Sequence, residues 1–266
     1  QGFVGNAVYQ KFKKFHDVFT YDIISVLCNS SYENLVKNCK IIFICVPTPS
    51  KKDGRCNSEI VKDILSKLNK ETNAIIVNKS TVIPGSTEKF NSLFKNLEII
   101  FNPEFLKERD AINDFQNQNR IILGGSKLAT DQIKKIYSNI FPNANIVKTS
   151  STKAEMIKYL TNSFLANKVS FANEMYDLCQ ALNLDYDKVV EYACLDERLG
   201  NSHWKVPGPD GDFGFGGHCF PKDLSAILFL TKKLGSINNV LNSAITTNEE
   251  VRKNKDWKNM KGRAII

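Results

Sequence analysis

The chain has 266 residues, 42% of them hydrophobic and 24% charged, with a formal net charge of +8 at pH 7. These values exclude a disordered or fibrous chain, and the length allows about two domains with sizeable cores. The positive excess is scattered and its densest runs, Lys11–Lys14 and Lys253–Lys261, are short, so it reads as solvated helix faces rather than a nucleic-acid footprint, and no apolar run reaches the ~18 residues that a bilayer-spanning helix needs.

The first residues hold Gly2 and Gly5 around Phe3 and Val4, spaced like the last two glycines of a G-x-G-x-x-G turn. Such glycines let a backbone approach a pyrophosphate at a helix N-terminus. Val8 to Phe15 follow as an amphipathic helix, and Val18 to Asp22 as a β-rich run ending in an acid. A carboxylate at that place accepts the ribose hydroxyls of NAD and repels a 2′-phosphate. Ile41 to Val46 predict a strand closed by Pro47 and Pro49, and Glu59 to Leu68 a helix. Further strands are predicted over Ala74 to Asn78, Leu97 to Phe101 and Arg120 to Leu123. Their apolar runs are near-continuous, as in parallel strands buried on both faces, and their alternation with helices makes βαβ units. From Ser151 the pattern turns helical. Glu155 to Cys179 form one long helix of about 40 Å, with Leu165, Ala166, Val169, Ala172 and Met175 as an apolar face. Helices are also predicted over Tyr186 to Cys194, Asp223 to Lys233 and Ile237 to Lys253, with a Gly/Pro-rich loop from Gly200 to Gly217 and the start of a strand at Arg263 to Ile266. The expected fold class is α/β: a Rossmann-like doubly wound parallel sheet domain followed by an all-helical domain.

Seven cysteines, an odd number with no C-x-x-C pair, give neither a disulfide framework nor a zinc ligand set; no metal is expected, and a reducing cytoplasm is. Cys219 stands apart. It follows Gly214, Gly216 and Gly217, which would let a substrate come close, and it precedes a helix beginning near Pro221. The helix dipole lowers a thiol pKa, and Lys222 and Asp223 add local charge. A nucleophilic cysteine beside an NAD site points to oxidation of an alcohol through an aldehyde to a thioester, which water opens to an acid. Such a route needs oxyanion stabilisers and a base. Lys158 and Asn162, one turn apart on the long helix, offer an ammonium and an amide, although a solvent-facing pair is the commoner outcome. Glu104 is a candidate base; with Glu108 it is also readable as no more than a helix start after Pro103.

Taken together, these stretches resemble the UDP-glucose/GDP-mannose dehydrogenase family. The resemblance is carried by GFVG at Gly2 to Gly5, VPTP at Val46 to Pro49, KSTV at Lys79 to Val82, NPEFL at Asn102 to Leu106, AEMIKYLTNSFLA at Ala154 to Ala166 and GFGGHCFPKD at Gly214 to Asp223, in family order over nearly the whole chain. It implies NAD-dependent four-electron oxidation of a nucleotide sugar, UDP-glucose to UDP-glucuronate, with GDP-mannose or a UDP-N-acetylhexosamine as alternatives. In this resemblance Cys219 is the thioester-forming nucleophile, Lys158 and Asn162 stabilise the oxyanion, Asp223 assists the lysine and the water, Glu104 serves thioester hydrolysis and Thr81 contacts cofactor and water. Gly2, Phe3, Val4, Gly5, Asp22, Val46, Pro47, Thr48, Ser80, Thr81, Glu108 and Lys222 contact the cofactor. The substrate cradle is Glu104, Phe105, Leu106, Lys107 and Glu108 with Lys158, Asn162, His203, Phe215 and Gly216, and Arg198 reaches the sugar site of a neighbouring subunit. The long helix is the core of a homodimer. The layout this implies is an NAD-binding domain over 1–149 without its first strand, a helical central domain over 150–245, and a linker with the start of a third, nucleotide-binding domain over 246–266. Two other readings stay open: a two-electron hydroxy-acid-type dehydrogenase of similar architecture, and a binding or assembly module without turnover.

Overall fold

The computed structural model describes every residue from Gln1 to Ile266. The chain divides into two compact units, one of Gln1–Thr48 with Ser58–Lys158 and one of Pro49–Asn57 with Tyr159–Ile266.

The first unit is a five-stranded sheet with helices on both faces. In chain order it comprises α1 (Phe3–Phe12), α2 (Tyr32–Asn38), β1 (Ile41–Ile44), α3 (Glu59–Leu68), β2 (Ile75–Asn78), α4 (Ser86–Leu93), β3 (Glu98–Phe101), α5 (Ala111–Gln116), β4 (Arg120–Gly124), α6 (Lys127–Ile140) and β5 (Asn145–Thr149). The strand order is β1-β2-β3-β4-β5. β1, β2 and β3 are parallel and so are β4 and β5, but the two groups meet antiparallel at Phe101 and Gly124. Successive strand residues point to opposite faces. Ile76, Ile99 and Phe101 therefore pack with Val61, Leu65 and Phe90 of α3 and α4, while Val77 and Ile100 pack with Val8, Phe12, Phe115 and Ile133 of α1, α5 and α6. Both faces are covered, which is why the strands read as unbroken Ile/Val/Phe runs.

Three expectations are corrected. Val18 to Asp22 form no strand, because no neighbouring strand supplies their ladder; Thr20 is held instead by Asn29, whose side-chain oxygen accepts the Thr20 N–H at 2.7 Å. The first helix spans Phe3–Phe12 and starts at the glycine turn itself rather than at Val8. Arg263 to Ile266 make only isolated bridges, Ile265 pairing with Ser50 and with Lys261.

α7 (Ser151–Ala181) begins in the first unit and continues into the second, which adds α8 (Tyr186–Ala193), α9 (Phe220–Leu234) and α10 (Asn239–Val251). α9 is delimited as its sequence dictates, by Pro221 in its first turn and by Gly235 at φ 67° after its last. No helix is long and apolar enough to cross a membrane.

Candidate active site

In the first unit, the conspicuous residues collect at the carboxyl ends of β1, β2 and β3, where ligands of open α/β sheets bind. Ser80 Oγ accepts the Val46 N–H at 2.9 Å and Asn78 Oδ1 accepts the Ser80 N–H at 3.1 Å, tying the two strand ends together. Thr48, Ser80 and Thr81 are buried there. Gly2 caps α1 with an extended backbone and no side-chain cap, and nothing lies within 4 Å of where its Cβ would be. The helix thus starts with open space beside Gly2 and no side-chain cap. Asp22 lies beside this turn, its carboxylate accepting from the Gln1 amino group.

Past β3, Asn102 to Leu106 form an ordered loop. The Asn102 side chain donates to the Ile122 carbonyl at 2.8 Å and accepts from Tyr137 Oη at 2.6 Å and from Lys79 Nζ at 3.0 Å. Lys79 is buried, and burial pushes it down to about 8 against the pull of Cys45 and Glu104. Glu104 is buried as well. One carboxylate oxygen accepts the Leu106 N–H at 2.8 Å; the other lies 3.3 Å from Lys158 Nζ, which also donates to the Glu104 carbonyl at 2.6 Å. Lys158 Nζ stands 5.4 Å from the centre of the Phe105 ring. The expected ammonium is therefore engaged with the expected base. Lys107 pairs with Asp114 at 3.3 Å, and Glu108 opens a short 3-10 turn at the surface.

In the second unit, Cys219 is the N-cap of α9, partly exposed, and its carbonyl accepts the Asp223 N–H at 3.0 Å. Asp223 is 1% exposed. Its two oxygens take Asn162 Nδ2 at 2.6 Å and Lys222 Nζ. Burial alone would push Lys222 down, but Asp223, Cys219 and Cys56 outweigh it and hold the ammonium above the usual lysine range. A positive charge is thus fixed near the thiol, at the end of a helix whose dipole also favours an anion.

Two of the glycines before Cys219 are packed closely against side chains. A Cβ on Gly214 would lie 2.2 Å from Asn248 Oδ1, and one on Gly216 would lie 2.2 Å from Arg252 Nη2. Both allow close packing against the end of α10. Gly217, at φ +69°, is the one with open space beside it. Phe215 is buried with its ring edge-on to Phe220, and His203, at φ 67°, lies 5.9 Å from the same ring. Arg198 is 88% exposed and folds back onto Asp196 at 2.5 Å. Its loop is anchored by Lys168, which donates to the carbonyls of Leu199 at 2.8 Å and Gly200 at 3.0 Å. No group of three or more His, Cys, Asp or Glu could hold a metal ion. Lys79, Asn173, Asn248, Arg252 and Asp256 escaped the sequence reading. The last three recur every four residues, a signal that alone reads as a polar helix face.

Two models of the UDP-glucose/GDP-mannose dehydrogenase family match the chain, the NAD binding domain over residues 23–141 and the central domain over residues 152–250. The UDP-glucose 6-dehydrogenase of Rickettsia bellii is 37% identical over 229 residues, covering 83% of this chain and 52% of the relative. UDP-glucose 6-dehydrogenase TuaD of Bacillus subtilis is 35% identical over 244 residues, covering 88% and 50%. Among solved structures, a UDP-glucose dehydrogenase from Pyrobaculum islandicum superposes with a TM-score of 0.76 at 27% identity, covering 92% of this chain and 61% of that one. The chain spans about half the length of the relatives it matches.

Proposed function

This chain belongs to the UDP-glucose/GDP-mannose dehydrogenase family, and from that premise we propose that it carries the cofactor-binding and catalytic parts of an NAD-dependent nucleotide-sugar 6-dehydrogenase. The reaction is oxidation of UDP-glucose to UDP-glucuronate through a thioester on Cys219. The observation that carries this reading is the buried Asn162–Asp223–Lys222 chain beside Cys219.

Lys222 and the first turn of α9 favour the thiolate, the form that attacks a carbonyl. Asp223 balances the ammonium and orients the Asn162 amide. In the resting arrangement Lys158 and Asn162 spend their protons on Glu104 and Asp223. In turnover each donates a hydrogen bond to a sugar oxygen as charge develops there. Glu104 is the base for the water that opens the thioester, its second oxygen steadied by the Leu106 N–H. The open, uncapped N-terminus of α1 fits a pyrophosphate and Asp22 fits a ribose, so Gly2 to Gly5 and Asp22 would hold NAD, with Val46 to Thr48, Ser80, Thr81, Glu108 and Lys222 as further contacts. Bound NAD supplies the hydride acceptor. The family resemblance assigns sugar contacts to Glu104 to Glu108 and Lys158 in the first unit, and to Asn162, His203, Phe215 and Gly216 in the second.

The partner is a second copy. On α7 the buried side includes Lys158, Asn162, Ser163, Lys168, Ser170 and Asn173, while Met156, Leu160, Phe164, Phe171 and Leu178 are exposed. A helix with its large apolar residues outward needs another surface over them, and Arg198, exposed and held only by Asp196 of its own turn, would exchange that pair to reach across such an interface.

The test is acid formation from a panel of UDP- and GDP-sugars by the full-length protein, with NADH counted per acid. Two NADH per uronate and loss of uronate in Cys219→Ser are expected. Full turnover by Cys219→Ser removes the thioester, and one NADH per product removes the four-electron reaction.

A further inference from the structure

Between Gly200 and Phe220 the chain has no helix or strand, so its backbone polar groups must find partners elsewhere. Just before Cys219 they find side chains, and these come mainly from the end of α10. Asn248 Oδ1 accepts the Phe215 N–H at 2.7 Å and its Nδ2 donates to the Phe215 carbonyl at 3.0 Å, so one amide grips both polar groups of one residue. Asn173 Oδ1 accepts the Gly214 N–H at 3.1 Å. Asp256 Oδ2 accepts the Gly217 N–H at 3.0 Å. Arg252 Nη1 donates to the Phe213 carbonyl at 3.3 Å. Four of the five residues from Phe213 to Gly217 are thus held by side chains, and the last is two residues from the sulfur.

Arg252 is the hub. It is 2% exposed, with Nη2 2.9 Å from Asp210 and 3.2 Å from Asp256, and Nε donating to the Asn254 carbonyl at 2.7 Å. Every side of the guanidinium is occupied, and Gly216 lies flat against it, where a Cβ would come within 2.4 Å of both its carbon and Asp256 Oδ1. A buried, doubly paired arginine costs desolvation that apolar packing would avoid, and its best-attested use is to fix one arrangement. Here the arrangement it fixes is that of the segment leading into the thiol.

We propose that Asn248, Arg252 and Asp256 are positioning residues for Cys219. They set the register of the 213–217 loop on α10, and through it the orientation of the thiol and its distance from Lys222. This inference rests on the reading of Cys219 as the nucleophile. A merely structural network would change stability when cut. A positioning network also changes the acidity of the thiol and the rate of its chemistry, and leaves cofactor affinity alone.

The experiment uses the full-length protein and two near-isosteric variants. Asn248→Asp replaces the amide donor to the Phe215 carbonyl with a repelling oxygen. Asp256→Asn keeps an acceptor for the Gly217 N–H and removes the charge facing Arg252. Alkylation of Cys219 by iodoacetamide is followed against pH by peptide mass analysis, together with kcat, the KM for NAD and the urea midpoint. The expected result is a shift of about half a pH unit or more in the alkylation midpoint and a fall in kcat of about tenfold to a hundredfold, with the KM for NAD unchanged. If Asn248→Asp does not fold, Asp256→Asn decides. An unshifted alkylation profile and an unchanged kcat in a folded variant overturn the proposal. Cys219→Ser, run alongside, separates the two failures: an inactive serine variant beside unaffected positioning variants sinks the positioning role alone, whereas an active one sinks the nucleophile and this inference with it.

Discussion

Asp223→Asn tests the centre of the second unit in two independent ways. The carboxylate is 1% exposed and takes both Asn162 Nδ2 and Lys222 Nζ. An asparagine keeps the shape but has one oxygen for two donors and no charge. Removing one partner of a buried ion pair costs about 3–5 kcal/mol, because the remaining charge is left uncompensated. The retained oxygen offsets part of this through one hydrogen bond worth about 1 kcal/mol. The expected loss is therefore about 3 kcal/mol. Both tryptophans, Trp204 and Trp257, belong to the second unit, so urea unfolding followed by their fluorescence reads that unit directly. The thiol gives the second readout. Lys222 interacts favourably with both Asp223 and Cys219. Without the carboxylate, the ammonium has the thiolate as its main counter-charge, so the Cys219 pKa falls and alkylation at neutral pH speeds up, while Lys222→Met slows it. A urea midpoint equivalent to a loss below about 1 kcal/mol, or alkylation that slows in Asp223→Asn, refutes the arrangement.

Gly216→Ala drives a methyl into Arg252 and costs about 1–3 kcal/mol, whereas Gly217→Ala has open space and carries only the left-handed backbone penalty of about 1 kcal/mol; paired urea melts separate the two. Lys79, pushed down to about 8 by burial from the ordinary lysine value of 10.5, binds its proton less tightly folded than unfolded. Through that window the unfolded chain holds the proton and the native chain does not, so native stability from this group rises with pH and is lowest below about 8. The stability advantage of Lys79→Met should shrink by on the order of 3 kcal/mol as pH climbs through the window; an advantage that grows contradicts the burial. Leu160 and Phe164 are 61% and 65% exposed on α7; the proposed homodimer predicts that Leu160→Asp with Phe164→Asp sediments as a monomer with the urea midpoint of the first unit unchanged, and a parent protein that already sediments as a monomer refutes it.

The strands at Ile41, Ile75, Glu98 and Arg120 were legible because burial on both faces leaves a continuous apolar run in the sequence. β5 was not: at the edge of the sheet, Asn145, Val147 and Lys148 are exposed, and the run loses contrast. Val18 to Asp22 show the converse error, since β-rich composition makes a strand only where a neighbour completes the ladder. The site divides in the same way. Cys219, Lys222 and Asp223 are within five residues of one another and announce themselves as a helix start. Asn248 and Phe215 are 33 residues apart and Arg252 and Phe213 are 39 apart, so no local pattern reports that one holds the other.

α7 carries the argument furthest. An amphipathic helix in a lone domain turns its apolar side inward and its polar side to water, and Leu165, Ala166, Val169, Ala172 and Met175 were expected to do this. Of these, Ala166 and Ala172 are fully covered, and the side chains buried with them on α7 are Ala154, Tyr159 and Cys179 together with a glutamate and several lysines, asparagines and serines. Four of the buried polar groups have a use of their own: Lys158 holds Glu104, Asn162 holds Asp223, Lys168 anchors the Arg198 loop and Asn173 holds the glycine loop. A helix that spends much of its inner face on positioning functional groups has less of that face for apolar burial. Its exposed leucines and phenylalanines are what the proposed second copy would cover, so the polarity of the site and the proposed partner trace to the same helix.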